Sequence, residues 1–183
     1  MLPFKISICG LDEIERFAGA GVTHVISLLD PDWPDPEGWA ALGTVEHHRF
    51  HMHDIVSDRP GWRPPLEEDV ERLLQVGDLL ARSEVGHLLV HCHFGRSRST
   101  AAALILKAQH FPGREAEAAE ALLDVRNPLW PNSRMIAYAD TLLDRDGRLI
   151  EAARSLYARV AREHPQFAEF ILRTERADEV PEE

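Results

Sequence analysis

The chain has 183 residues, which fits one domain with an ordinary hydrophobic core rather than two domains. Its 31 acidic and 20 basic residues give a formal net charge of −11, which excludes nucleic acids and anionic membrane surfaces as general partners. Two cysteines are too few for a disulfide framework, and the sequence shows neither a signal peptide nor a membrane-spanning segment. We therefore expect a soluble, cytoplasmic protein, with its oligomeric state left open.

The first half of the sequence alternates between strands and helices. Apolar and β-branched runs predict strands over residues 4–9, 22–29, 45–55 and 88–90. A short helix is predicted after Asp12 and a longer one after Pro64-Pro65, where acidic residues suit a helix start. This alternation predicts an α/β fold with a central, mostly parallel sheet flanked by helices.

The second half of the sequence is predicted to be helical. Small and apolar residues from Ser99 onward predict a buried helix, and further helices are expected over 115–125, 132–143, 149–160 and 167–171. We assign residues 1–172 to a single domain. The acidic tail, residues 173–183, is expected to be disordered.

The segment between the strand at residues 88–90 and the helix that opens at Ser99 carries the strongest functional signal. Cys92 ends the strand, Arg98 begins the helix, and five residues lie between them: His93, Phe94, Gly95, Arg96 and Ser97. A loop that turns into a helix start points backbone N–H groups at one centre and forms an anion site. The helix dipole and Arg98 favour a thiolate at Cys92, and the planar fork of Arg98 can hold two phosphoryl oxygens.

A structural interpretation of the same residues is an ordinary buried cysteine followed by a cation. The helix dipole disfavours an arginine at a helix N-terminus, however, so Arg98 is better explained by an anion bound there. Gly95 permits the positive φ that such a loop needs where it turns inward. The residues therefore favour a phosphate-binding loop with a cysteine nucleophile.

The pattern His91-Cys92-x-x-Gly95-x-x-Arg98-Ser99 resembles the signature loop of the cysteine-based protein tyrosine phosphatases. The chain's small size and its context resemble the dual-specificity-like branch, including small bacterial members, from about Phe4 to Leu143. The resemblance implies hydrolysis of phosphate monoesters through a phosphocysteine. It also implies that Ser99 assists the sulfur, that His91 fixes the loop backbone, and that no metal or cofactor takes part.

Three aspartates compete for the role of general acid. Asp35 ends the letters Trp33-Pro34-Asp35, which mark the acid loop in some tyrosine phosphatases, but this loop follows an earlier strand than the family uses. Asp54 comes directly after the third predicted strand, as the acid of the resembling branch does, and Asp58 lies four residues further on. We therefore expect Asp54 to be the acid, with Asp58 as the alternative.

A metal site is a competing interpretation of four histidines, His47, His48, His51 and His53. Three of them share one face of a strand, but no cysteine joins them in sequence, and the phosphatase chemistry does not call for a metal. We expect neither a metal nor a cofactor.

The substrate stays open at the level of sequence. The expected partner is a phosphorylated protein or a small phosphate ester, with phosphotyrosine the leading case by resemblance and dual specificity an alternative. Arg96 adds a cation that would suit an inositol phosphate or a phosphoinositide. Two other classes remain: a catalytically idle module that binds phosphoproteins, and a sulfur-transfer or arsenate-reducing enzyme, for which Cys9 would be the resolving cysteine.

Overall fold

A four-stranded parallel sheet forms the centre of the molecule. The structure is a computed structural model that describes residues 4–181. The strands are β1 (Lys5–Cys9), β2 (His24–Leu29), β3 (Glu46–His51) and β4 (His87–His91), and they lie in the order β1-β4-β2-β3. Every pairing between them is parallel. The α/β fold predicted from the sequence is confirmed.

Both faces of the sheet are covered, which explains why the central strands are apolar. Strands β2 and β4 are buried along their whole length. Neighbouring residues of β2 point to opposite faces. Ile26 joins the larger core, which the α-helices cover, and Val25 joins a smaller core that includes residues of two 3-10 helices, Leu11–Phe17 and Glu37–Leu42.

The six α-helices follow the order that the sequence predicts. They are α1 (Glu67–Arg82), α2 (Arg98–His110), α3 (Glu115–Leu123), α4 (Ser133–Leu142), α5 (Arg148–Glu163) and α6 (Pro165–Ile171). Helix α2 is buried along almost all of its length and contacts β4, β1 and β2. Among residues 4–181, no helix is long and apolar enough to cross a membrane.

Two predicted elements differ from the structure in the first half of the chain. The helix predicted after Asp12 is a 3-10 helix, and the strand predicted over 45–55 ends at His51. Met52 N still donates to Leu29 O of β2, but His53 N donates to Arg63 O within the following loop. The chain leaves the sheet at this point, so Asp54 lies in the β3–α1 loop (residues 52–66).

The prediction of a disordered tail is wrong for the part of it that the structure describes. Residues 173–181 pack against the domain, with Arg176 buried and a 3-10 helix over Ala177–Glu179. Disorder was predicted from the number of charged residues in this segment. The composition does not show that Glu175 and Arg176 have specific partners in the folded chain. The last two residues of the predicted tail, and the first three of the predicted domain, lie outside the described residues.

Candidate active site

The parallel sheet brings three chain segments together at its carboxyl edge. Cys92 follows β4, Asp30 follows β2, and Asp54 lies three residues beyond β3. Parallel strands all end at the same edge, so the segments that follow them meet there. Arg98 links them, because its guanidinium lies 2.7 Å from Asp30 Oδ1 and 3.9 Å from Asp54 Oδ2.

The loop of residues 93–97 turns its carbonyl groups outward. Trp130 N donates to Arg96 O at 2.8 Å, and Arg126 Nη2 donates to Phe94 O at 2.9 Å. In the described part of the chain, none of the amide groups of residues 93–97 donates a hydrogen bond. Free amides beside the first turn of α2 form a site with partial positive charge, which suits a phosphoryl group.

Gly95 is required by the path of this loop. Its φ is +68°, a conformation that side chains rarely adopt. A β-carbon at this position would also lie 2.6 Å from Cys9 O, which is closer than van der Waals contact allows. The sequence predicted the positive φ at Gly95, and this is confirmed.

Cys92 lies at the base of the loop and is almost fully buried. Its Sγ is 3.2 Å from Ser99 Oγ in the first turn of α2, so the hydroxyl can donate to the sulfur. Both cysteines of the chain are free thiols. Burial raises the pKa of Cys9 to about 12, so Cys9 is a neutral thiol at physiological pH.

Arg98 is anchored by one nitrogen and leaves an edge of its guanidinium open. Nη1 donates to Asp30 Oδ1 at 2.7 Å and to Met52 O at 2.5 Å. Nε is buried and has no hydrogen-bond partner among residues 4–181. A buried donor without a partner is costly, so the open edge is suited to a ligand oxygen. The guanidinium is therefore fixed in advance, with a donor left for an anion.

The two oxygens of Asp54 have different surroundings. Oδ1 accepts hydrogen bonds from Ser97 Oγ at 2.7 Å and from Asn132 Nδ2 at 3.0 Å. Oδ2 makes no such bond and faces Arg98 Nε at 3.9 Å. When the carboxyl group is protonated, its proton belongs on Oδ2, because Oδ1 already accepts from two donors. Asp54 can thus present an acidic proton toward the anion site.

Within residues 4–181, the other two candidate acids form neither a hydrogen bond nor an ion pair with the loop of residues 93–97. Asp58 is 83% exposed and pairs with Arg134 Nη1 at 2.8 Å. Asp35 pairs with Arg49 of β3. Of the three aspartates, Asp54 alone is held against that loop in the described structure.

His91 belongs to a buried chain of hydrogen bonds beneath Cys92. Ser27 Oγ lies 2.5 Å from His91 Nε2 and 2.8 Å from His47 Nε2. The hydroxyl has a single proton, so it donates to one ring and accepts from the other. Burial lowers the pKa of each histidine to about 4, so both rings are neutral at physiological pH.

Because His91 and His47 are held neutral by burial, we expect the free energy of unfolding to fall in mild acid. An unfolded histidine takes up a proton near pH 6.5, whereas His91 in the folded protein does so only at about 4. The free energy of unfolding should therefore fall as the pH drops from about 6.5 to about 4, by up to ~3 kcal/mol for His91. Urea unfolding at several pH values in this range measures it. A His91→Asn variant should show a shallower fall, and an equal slope in both proteins would contradict this account.

Arg96 is turned away from the anion site. Its Nη1 donates to Pro128 O at 2.7 Å, and its guanidinium lies 5.5 Å from the centre of the Phe167 ring. The sequence suggested that Arg96 would favour a second phosphate group. In the structure the Arg96 guanidinium is already engaged by Pro128 O and the Phe167 ring, which weakens that argument.

Two of the three remaining histidines of this cluster, His48 and His53, have partners of their own. His48 contacts Glu46 at 3.2 Å, and His53 accepts from Arg63 N at 2.9 Å. His51 is exposed. No group of three or more histidine, cysteine, aspartate or glutamate side chains arranged for a metal is found within residues 4–181.

Sequence reasoning missed Asp30 and the second role of Asn132. Asp30 directly follows a strand, which is the same signal that singled out Asp54. Asn132 begins the helix predicted over 132–143 and caps it, since its Oδ1 accepts from Met135 N at 3.1 Å, but its Nδ2 also holds Asp54.

Comparison with solved structures identifies the class of fold. No protein-family model and no curated protein sequence matches the chain. Structures of dual-specificity-like and related cysteine-based tyrosine phosphatases do match, and the chain has their fold. The fold implied by the sequence resemblance is confirmed.

Three solved structures illustrate the similarity. Human DUSP28 is 21% identical with a TM-score of 0.57, and the match covers 76% of this chain and 94% of that chain. Tk-PTP in its active form is 17% identical with a TM-score of 0.57, over 79% of this chain and 95% of that chain. PTPMT1, in complex with PI(5)P, is 17% identical with a TM-score of 0.54, over 77% and 91% respectively.

Proposed function

We propose that this chain hydrolyses phosphate monoesters through a phosphocysteine intermediate, with Cys92 as nucleophile, Arg98 as phosphate ligand and Asp54 as general acid. The observation that carries the proposal is the loop of residues 93–97, whose amides are free beside a buried cysteine and an anchored arginine. Such a site binds an anion and places a sulfur nucleophile at its base. The fold, shared with cysteine-based phosphatases, supports the same conclusion.

In the first step, the Cys92 thiolate attacks phosphorus and the bond to the leaving oxygen breaks. Arg98 and the loop amides hold the non-bridging oxygens, and their fixed positive charge stabilises the transition state. Asp54 gives the proton on Oδ2 to the leaving oxygen, so the alcohol departs neutral. The products of this step are phosphocysteine, the alcohol and the Asp54 carboxylate.

In the second step, water replaces the sulfur on phosphorus. The Asp54 carboxylate takes a proton from the attacking water, and the phosphorus–sulfur bond breaks. Ser99, 3.2 Å from Cys92 Sγ, donates a hydrogen bond that stabilises the departing thiolate. Inorganic phosphate leaves, and both Cys92 and Asp54 regain their starting protonation states.

Phosphotyrosine in a protein is the substrate that we favour. Two exposed aromatic side chains lie in or against the loop: Phe94 of the loop is 76% exposed, and Trp33 is 42% exposed and packs against His93 with ring centres 4.3 Å apart. Aromatic side chains of this kind pack well against a tyrosine ring. A phosphoinositide has less support, because the Arg96 guanidinium already donates to Pro128 O.

The choice of acid is tested by leaving-group dependence. Asp54→Asn keeps the shape of the side chain but removes the acidic proton, so kcat/KM for phenyl phosphate should fall by about 10²–10⁴-fold. The kcat/KM for p-nitrophenyl phosphate should fall much less, because nitrophenolate leaves readily without a proton. The comparison uses kcat/KM because this constant excludes the second step, in which Asp54 acts as base with either substrate.

Asp58→Asn is the matched control for this experiment. Asp58 is exposed and pairs with Arg134. Its loss should leave the ratio of the two kcat/KM values within about twofold of the wild type. If Asp58→Asn shows the selective loss on phenyl phosphate and Asp54→Asn does not, the assignment of the acid is wrong.

A further inference from the structure

The last described residues form a strap that contacts both the β3–α1 loop and the loop of residues 93–97. The C-terminal strap (residues 172–181) follows α6, and its Glu175 reaches the β3–α1 loop. Val56 N donates to Glu175 Oε1 at 2.7 Å, and Ser57 Oγ donates to Glu175 Oε2 at 2.7 Å. Arg59 Nε lies 3.2 Å from the same carboxylate. One side chain of the strap therefore holds the chain just beyond Asp54.

A second residue of the strap, Arg176, contacts the loop of residues 93–97. Arg176 is 7% exposed, and its Nη1 donates to Ser97 Oγ at 2.9 Å. Its Nη2 donates to Pro131 O at 2.5 Å. Arginine only donates, so the Ser97 hydroxyl accepts from Arg176 and gives its single proton to Asp54 Oδ1. Arg176 thus fixes the direction of one of the two hydrogen bonds that hold Asp54.

The buried charge of Arg176 is balanced within the strap itself. Arg176 Nε donates to Glu179 Oε2 at 2.8 Å, and Trp130 Nε1 donates to the same oxygen at 2.7 Å. A buried charge is costly unless it is paired and hydrogen-bonded. Glu179 supplies that pair from within the strap, so Arg176 can remain buried while it donates to Ser97 Oγ.

We propose that Glu175 and Arg176 are positioning residues that hold Asp54 in place for proton transfer. Glu175 acts through the backbone of the β3–α1 loop, and Arg176 acts through the hydroxyl of Ser97. The inference rests on the proposed function, since it concerns the acid of that reaction. Arg176 contacts the loop of residues 93–97 through the Ser97 hydroxyl rather than through a loop amide, and Glu175 contacts the β3–α1 loop, so the loss of either side chain should affect the proton-transfer step and spare phosphate binding.

Leaving-group dependence tests the proposal in the full chain. Glu175→Gln and Arg176→Gln should each lower kcat/KM for phenyl phosphate by about tenfold, and kcat/KM for p-nitrophenyl phosphate by less than about threefold. Affinity for inorganic phosphate should stay unchanged. Introduced into Asp54→Asn, the same substitutions should cause no further loss on phenyl phosphate, because the acid that they position is already absent.

Arg173→Gln is the matched control, because Arg173 is an exposed arginine of the same strap. It should behave as the wild type on both substrates. Equal losses on the two substrates, or further loss in the Asp54→Asn background, would overturn the proposal and indicate a general structural role. If Arg176→Gln unfolds because it lacks the buried ion pair with Glu179, the Glu175→Gln variant decides the outcome alone. Inactive wild-type protein would instead overturn the proposed function, so the two failures are distinguishable.

Discussion

Cys92→Ser should abolish turnover of p-nitrophenyl phosphate, with a loss of at least about a thousandfold. A serine hydroxyl is not ionised at neutral pH, so the nucleophile is lost while the amides of residues 93–97 and Arg98 remain. Inorganic phosphate should therefore still bind, as isothermal calorimetry can measure. The activity assay is run with a chelator present, so that a contaminating metal-dependent phosphatase cannot contribute.

Cys9→Ser is the control for the loss of a thiol. Cys9 is also buried, and its thiol stays neutral, so its replacement removes sulfur without removing the proposed nucleophile. We expect turnover within about threefold of the wild type. Normal turnover by Cys92→Ser, or loss of turnover in the Cys9 variant alone, would contradict the assignment of Cys92.

Arg98→Lys should lower kcat/KM for p-nitrophenyl phosphate by about 10²–10⁴-fold. The guanidinium makes two hydrogen bonds through Nη1, to Asp30 and Met52, and keeps Nε free for a ligand. An ammonium group is a point charge without this fork, so it cannot keep both anchors and also hold a phosphoryl oxygen in the same plane. Affinity for inorganic phosphate should fall together with kcat/KM.

Arg96→Lys is the matched control in the same loop. The Arg96 side chain is turned toward Pro128 and Phe167, and its backbone amide is unchanged by the substitution. We expect a loss of less than about threefold. Equal losses in the two arginine variants would show that the loop depends on its total charge rather than on the anchored fork of Arg98.

The fold was largely predictable because its signals are local. Strands that are apolar along their whole length, alternating with helices, predict a parallel sheet that is covered on both faces. The end of β3 was predicted wrongly because the sequence stays strand-like through residue 55. What ends the strand is a change of backbone partner at His53, from β2 to Arg63 of its own loop. That partner is ten residues away, and no local pattern indicates it.

The residues of the site were likewise predictable only where the signal is local. Cys92, Arg98 and Gly95 belong to one short loop, so their spacing could be recognised in the sequence. The contacts of Asp54 with Ser97 and Asn132 join residues 43 and 78 positions apart, and the contact of Arg98 with Asp30 spans 68 positions. Disorder was predicted for the charged tail from its composition alone. Ser97, which accepts a hydrogen bond from Arg176 of this tail, lies 79 positions away. Such pairings depend on the folded chain and leave no spacing signal.

Trapping the covalent intermediate tests the central claim most directly. Asp54→Asn protein is mixed with p-nitrophenyl phosphate and quenched in acid within a single turnover, and the peptide that contains Cys92 is analysed by mass spectrometry. The proposed mechanism predicts one added phosphoryl group on Cys92, which should accumulate because the base for the second step is missing. Turnover with unmodified Cys92, or a phosphoryl group on another residue, would contradict it.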